Sequence, residues 1–169
     1  MITTSAAVLC LLLPHLAAAR TPPDFSGKWK LVPNESASVG GRRGAGTGPG
    51  RGMGGGLGLG PSPTDLTITQ TATKLTITQH GTAVSKLVFA LDGTESRGEL
   101  PAGGHTRKAV FKSAWHDEKL VTTMTTDAPN GGGKITFQEV RYLTADGQLV
   151  VETNDPAHGN SRRVVYARK

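Results

Sequence analysis

The chain has 169 residues, a single cysteine, 13 acidic and 19 basic side chains and a formal net charge of +6. A chain of this length buries about 70% of its extended surface in one core, so neither disulfide staples nor a second domain is required. Cys10 lies within the first nineteen residues, and if that segment is removed, disulfides and thiol catalysis are excluded together.

Residues 1–19 carry no charged side chain; an apolar stretch over 6–13 is followed by Pro14, His15 and small residues. Ala17 and Ala19 suit the small pockets of a signal peptidase, which places the expected cut before Arg20. The apolar run is shorter than the ~20 residues a spanning helix needs, so removal is preferred to anchoring. Leu9 stands before Cys10 where a lipoprotein would need a small residue. The expectation is an exported protein, periplasmic or extracellular, whose residues 20–169 form one domain with no integral membrane span. Every Lys, Arg, Asp and Glu lies after residue 19, so the charge belongs to the mature chain. Arg42, Arg43 and Arg51 fall in an acid-free stretch, and the remaining excess of about three favours anionic partners only mildly.

The first predicted strand covers residues 27–32. Phe25, Trp29 and Leu31 share one face while Lys28 and Lys30 take the other, the period-two signature of a half-buried strand. Residues 38–60 follow, with twelve glycines, three arginines and no aromatic side chain. Such a segment cannot offset the entropy of ordering by burying apolar surface, so a flexible insertion is expected. After Pro63 come short alternating runs: Leu66 and Ile68 against Thr67 and Thr69; Leu75 and Ile77 against Thr76 and Thr78; Leu87, Phe89 and Leu91 on one side of the next. Further runs cover 107–115, 120–125, 135–143, 149–153 and 162–168, giving nine strands, or ten if 94–98 pairs. His80-Gly81, Asp92-Gly93, Gly103-Gly104, Asn130-Gly131 and Asp146-Gly147 supply tight-turn residues that tolerate positive φ.

Consecutive hairpins make an all-β, antiparallel up-and-down meander. A chain of this size protects its edges by closing the meander into a barrel of 8–10 strands, with a two-sheet sandwich as the alternative.

Gly27-Lys28-Trp29 on the first strand resembles the G-x-W signature of the lipocalins, and residues 25–32 are similar to the opening strand of the intracellular fatty-acid-binding proteins. Residues 149–152 and 162–166 resemble the last hairpin of the same calycin superfamily, and the chain also looks like the small secreted lipocalin-like proteins of bacteria. The resemblance implies a lipocalin-like barrel with Gly27 and Trp29 as its structural signature. It also implies that an arginine of the last strand packs on Trp29, a role for which Arg162 and Arg168 both qualify. The sequence departs from the family in two places. The glycine-rich segment stands where fatty-acid-binding proteins place two helices, and the last-strand R-x-Y is altered, since Arg163 and Tyr166 face opposite ways whereas Arg162 and Tyr166 are in phase.

Ile135, Phe137, Glu139, Arg141 and Leu143 share a phase, so two charges interrupt an apolar face. Inside a barrel Arg141 would need Glu139, water or a bound anion as partner, which makes it a candidate anchor. The more ordinary expectation is that the strand flips at a bulge and exposes both charges. Phe89, Phe111, Trp115, Phe137 and Tyr166 complete the candidate ligand-binding set, although such aromatics more often simply fill a small barrel.

No catalytic chemistry emerges. His80, His105, His116 and His158 lie far apart without metal-ligand spacing; Asp117 and Glu118 share a tight turn and cannot converge on one atom; no serine sits in a G-x-S-x-G elbow. Gly50-Arg51-Gly52-Met53-Gly54-Gly55 fits G-x-G-x-x-G only through glycine abundance, with neither βαβ strand nor helix around it, so dinucleotide binding is rejected. Nucleic-acid binding is rejected for want of stacking aromatics. No cofactor and no metal are expected. The leading reading is a non-enzymatic carrier of a small, largely apolar molecule, anionic or neutral. Its alternative is a filled, ligand-free structural domain that touches another component of the cell envelope.

Overall fold

A computed structural model describes residues 21–39, 62–81, 84–102, 105–128, 131–155 and 160–169. The expected leader and its cut, most of residues 38–60, His158 and the Gly103-Gly104 turn lie outside the described residues. The elements are β1 (Gly27–Leu31), a 3-10 turn (Pro33–Glu35), β2 (Ala37–Val39), β3 (Asp65–Gln70), β4 (Lys74–His80), β5 (Ser85–Ala90), β6 (Asp92–Ala102), β7 (His105–His116), β8 (Lys119–Asp127), β9 (Lys134–Leu143), β10 (Leu149–Asp155) and β11 (Asn160–Arg168). Among the described residues no helix is long and apolar enough to cross a membrane.

All strands belong to one antiparallel sheet. Its order is β5-β4-β3-β1-β11-β10-β9-β8-β7-β6, so the first strand pairs with the last and ten up-and-down strands curl into a nearly closed barrel. The seam lies between β5 and β6, which sit side by side without a hydrogen-bonded ladder among the described residues. The Leu-Thr-Ile-Thr-Gln string occurs twice, at Leu66–Gln70 and Leu75–Gln79. The two copies pair in opposite directions, so Ile68 meets Ile77 on the inside while Thr67 meets Thr78 and Thr69 meets Thr76 outside.

The structure extends two of these readings. Residues 38 and 39, read as the start of the glycine-rich insertion, belong to β2. There Ser38 and Val39 pair with Arg162 and Ser161, extending along β11 the edge that β1 occupies up to Leu31 and Tyr166. Between them the chain leaves the ladder through the 3-10 turn, held by Val32 N–H donating to the Val165 carbonyl at 2.9 Å and Val165 N–H donating to Ser36 Oγ at 3.2 Å. The run read as an optional tenth strand over 94–98 is the eleven-residue β6. Its pattern is obscured by a register shift between Asp92 and Glu95 and by Gly98, whose inward position leaves room for Phe111: a Cβ there would stand 3.1 Å from Phe111 Cε2.

One end of the barrel is sealed. Trp29 is fully buried, its Nε1–H donates to the Phe25 carbonyl at 2.9 Å, and the Phe25 ring lies 5.4 Å from that of Trp115. Arg168, and not Arg162, stacks on Trp29, its guanidinium carbon 4.6 Å from the ring centroid and its Nη1 donating to the Ser26 carbonyl at 2.7 Å. Gly27 has φ +139°, a backbone conformation that favours glycine, and its missing side chain leaves room for that Nη1, from which a Cβ would lie 2.8 Å. Gln70 ties residues 23–26 across this end: its side-chain amide accepts from Phe25 N–H at 3.1 Å and donates to the Pro23 carbonyl at 2.9 Å.

Candidate functional site

Strand alternation makes the inner wall largely apolar, with one polar row running across it. Ser113 pairs with Thr122, Thr122 with Glu139, Glu139 with Thr153 and Thr153 with Arg162, so the ladders of β7 through β11 align five polar side chains side by side within the barrel. Ser113 and Thr122 are fully enclosed and satisfy one another through a 2.8 Å hydroxyl contact. Arg162 extends the row to β3's approach by donating to Ser62 Oγ.

This row borders a cavity of about 110 Å³ that opens to solvent away from the Trp29 end. Its apolar wall is Leu66, Ile77, Leu87, Leu100 and Met124; its polar wall is formed chiefly by Glu139, Arg141, Thr153, Arg162 and Tyr166. The ordinary expectation for β9 is overturned: the strand keeps its phase through a continuous register with β8, and Glu139 and Arg141 point inward, 9% and 4% exposed. Arg141 Nη2 pairs with Glu139 Oε1, and the guanidinium lies over the Phe89 ring, 4.9 Å from its centroid. Nη1 of that guanidinium is buried with no hydrogen-bond partner among the described residues, and Glu139 Oε1 has none beyond the ion pair. A buried, fixed donor without an acceptor costs about 1–3 kcal/mol or more for a charged group, so the position favours any occupant that brings an oxygen.

Burial holds the Tyr166 phenol well above its ordinary range, and its hydroxyl donates to the Pro63 carbonyl at 3.2 Å, leaving a neutral oxygen that can accept. Desolvation depresses the Arg162 guanidinium, with Tyr166 and Glu139 opposing the shift. The polar wall therefore holds two guanidinium groups against one carboxylate.

Of the residues singled out from sequence, Arg141 and Tyr166 line the cavity together with the in-phase Arg162. The four others are packed behind it. Phe89 and Phe111 form an edge-to-face pair at 5.0 Å, the Trp115 ring lies tilted against that of Phe25, and Phe137 is buried in register with Met124. Thr153, Gln79 and Ser62 also line the cavity and were not foreseen. Thr153 was legible, since it alternates in phase with Leu149 and Val151; Ser62 stands ahead of any strand and carries no periodic signal.

Fold and cavity together define a single antiparallel barrel, sealed by aromatic residues at one end and holding a charged pocket toward the other. A scan against protein-family models finds no match to this chain, and a search of curated proteins finds none either.

Proposed function

We propose that the chain is an exported, calycin-like binding protein whose barrel takes a small monoanion, its charged end against Arg141 Nη1 and its short apolar body against Leu66, Ile77, Leu87 and Met124. The observation that carries this is the buried Nη1 donor without an acceptor, set in a wall whose charge is one positive unit in excess. The calycin part of the reading rests on the opening Gly27-Lys28-Trp29, the Arg168 stack on Trp29 and the pairing of the first strand with the last.

The size of the cavity sets the ligand class. A void of 110 Å³ holds fewer than about ten non-hydrogen atoms, well short of a long-chain fatty acid. The occupant is accordingly a carboxylate of roughly four to eight carbons, or a larger molecule of which only such an end enters. The test is calorimetric titration of the purified protein with straight-chain carboxylates of increasing length. Saturable binding that is strongest for short chains and is lost in Arg141→Met is expected; absence of binding across the series overturns the proposal.

The second reading, a structural domain with no ligand, draws on the aromatic packing behind the cavity, where four of the six predicted lining residues are core. It requires the same titration to stay flat while the protein remains fully folded.

A further inference from the structure

The outer wall divides by charge. On the four-stranded part formed by β1, β3, β4 and β5, Lys28, Lys30, Lys74 and Lys86 are exposed, with Lys169 alongside, against the single carboxylate of Asp65, which pairs with Lys169. On the six strands from β6 to β11, Arg97, Lys108, Lys112, Lys119, Lys134 and Arg163 are interspersed with Asp92, Glu95, Glu99, Asp127 and Glu152, and Lys112–Glu95 and Arg163–Glu152 pair at 3.3 and 3.7 Å. Thus the unbalanced positive charge of the described wall is concentrated on its smaller part.

The geometry of that part is regular. Lys28 pairs with Thr67, Thr67 with Thr78 and Thr78 with Lys86, giving one outward row about 14 Å long with a lysine at each end and two hydroxyls between. Among the described residues this surface offers no exposed aromatic platform for a sugar ring, and a barrel wall is convex, so it forms no groove to enclose a polymer. Lysines act as point charges on flexible stems and need no fixed register with their partner. Val84, the exposed large hydrophobic residue among those described at 70%, lies just before β5 and two residues from Lys86. A convex basic surface bordered by one apolar side chain complements a flat, fluid array of anionic headgroups.

We propose that the outer surface of β1, β3, β4 and β5 docks the protein onto an anionic lipid bilayer, with Lys28, Lys30 and Lys86 facing the headgroups and Val84 entering the interface. This is independent of whether the cavity takes a ligand. The experiment is co-sedimentation of the full chain with vesicles of neutral phosphatidylcholine, with or without 30% phosphatidylglycerol. The wild-type protein is expected to sediment with the anionic vesicles only and to be released at high salt. Since each lysine near such a surface strengthens association roughly fivefold, a Lys28→Gln, Lys30→Gln, Lys86→Gln variant is expected to bind about a hundredfold more weakly. A Lys108→Gln, Lys112→Gln, Lys134→Gln variant, matched in charge on the other part of the wall, should bind like wild type, with circular dichroism confirming the β fold of both. Equal loss in the two variants, equal sedimentation with neutral vesicles, no sedimentation at all, or retention by a soluble acidic polysaccharide in place of vesicles overturns the proposal.

Discussion

Two regions of one barrel wall are built to different rules. Around Trp29 the indole N–H donates to the Phe25 carbonyl, the Arg168 guanidinium covers the ring and donates to the Ser26 carbonyl, and Gly27 makes way for it. Around Arg141, on the same sheet, a buried guanidinium lies over Phe89 and pairs with Glu139 yet keeps Nη1 without a partner among the described residues. The sealed end is what a fold does when stability alone is at stake. The other end leaves part of its hydrogen-bonding capacity unused, and the difference is the reason for assigning binding to one region and support to the other.

The largest expected effect breaks the sealed end. Trp29→Ala removes a fully buried ring and strands Arg168, and should lower stability by about 3–5 kcal/mol, read from the urea midpoint. Breaking the other region gives a different signature. Arg141→Met alone leaves the Glu139 carboxylate buried without its partner and should cost a comparable ~3–5 kcal/mol, whereas Glu139→Leu with Arg141→Met should recover most of that loss or exceed the parent. A double variant that is stable but binds no carboxylate would sharpen the contrast; one as unstable as the single variant would erase it, by showing the pair to be structural. The smallest effect concerns Tyr166. Its phenol, raised above the ordinary 10.0 by burial, stays protonated in the folded chain while the unfolded chain ionises. Above about pH 10 the unfolded state therefore binds fewer protons and stability falls as pH rises, by at most about 1.4 kcal/mol per unit. Tyr166→Phe should flatten that slope at a cost near 1 kcal/mol at neutral pH for the lost bond to Pro63, followed by denaturation over a pH series.

The strands were legible because alternation is imposed by one wet and one dry surface, and Thr67, Thr69, Thr76 and Thr78 advertise it plainly. Where the wall departs from that rule the sequence misled. Gly98 faces inward with no side chain, and β6 was accordingly underestimated. Glu139 and Arg141 were in phase with Phe137 from the outset, but nothing local distinguishes a charge buried by its pair from one turned outward at a bulge. Only the neighbouring ladders, which set Glu139 between Thr122 and Thr153, decide it. The aromatic residues misled in the opposite sense: side chains in the right phase to meet a ligand lie behind the cavity, because depth along a strand is invisible to periodicity.

The line where β5 meets β6 has a mechanical consequence. Every other neighbouring pair in the ten-strand circuit is stitched by backbone hydrogen bonds, while here the contact includes Leu87 facing Gly98, where an added methyl would lie 3.7 Å from the leucine. Parting the wall along that line breaks no ladder among the described residues, but it separates Leu87 from Gly98 and Phe89 from Phe111. Backbone opening of the wall therefore meets least resistance along this line, whose flank, Leu87, also borders the cavity.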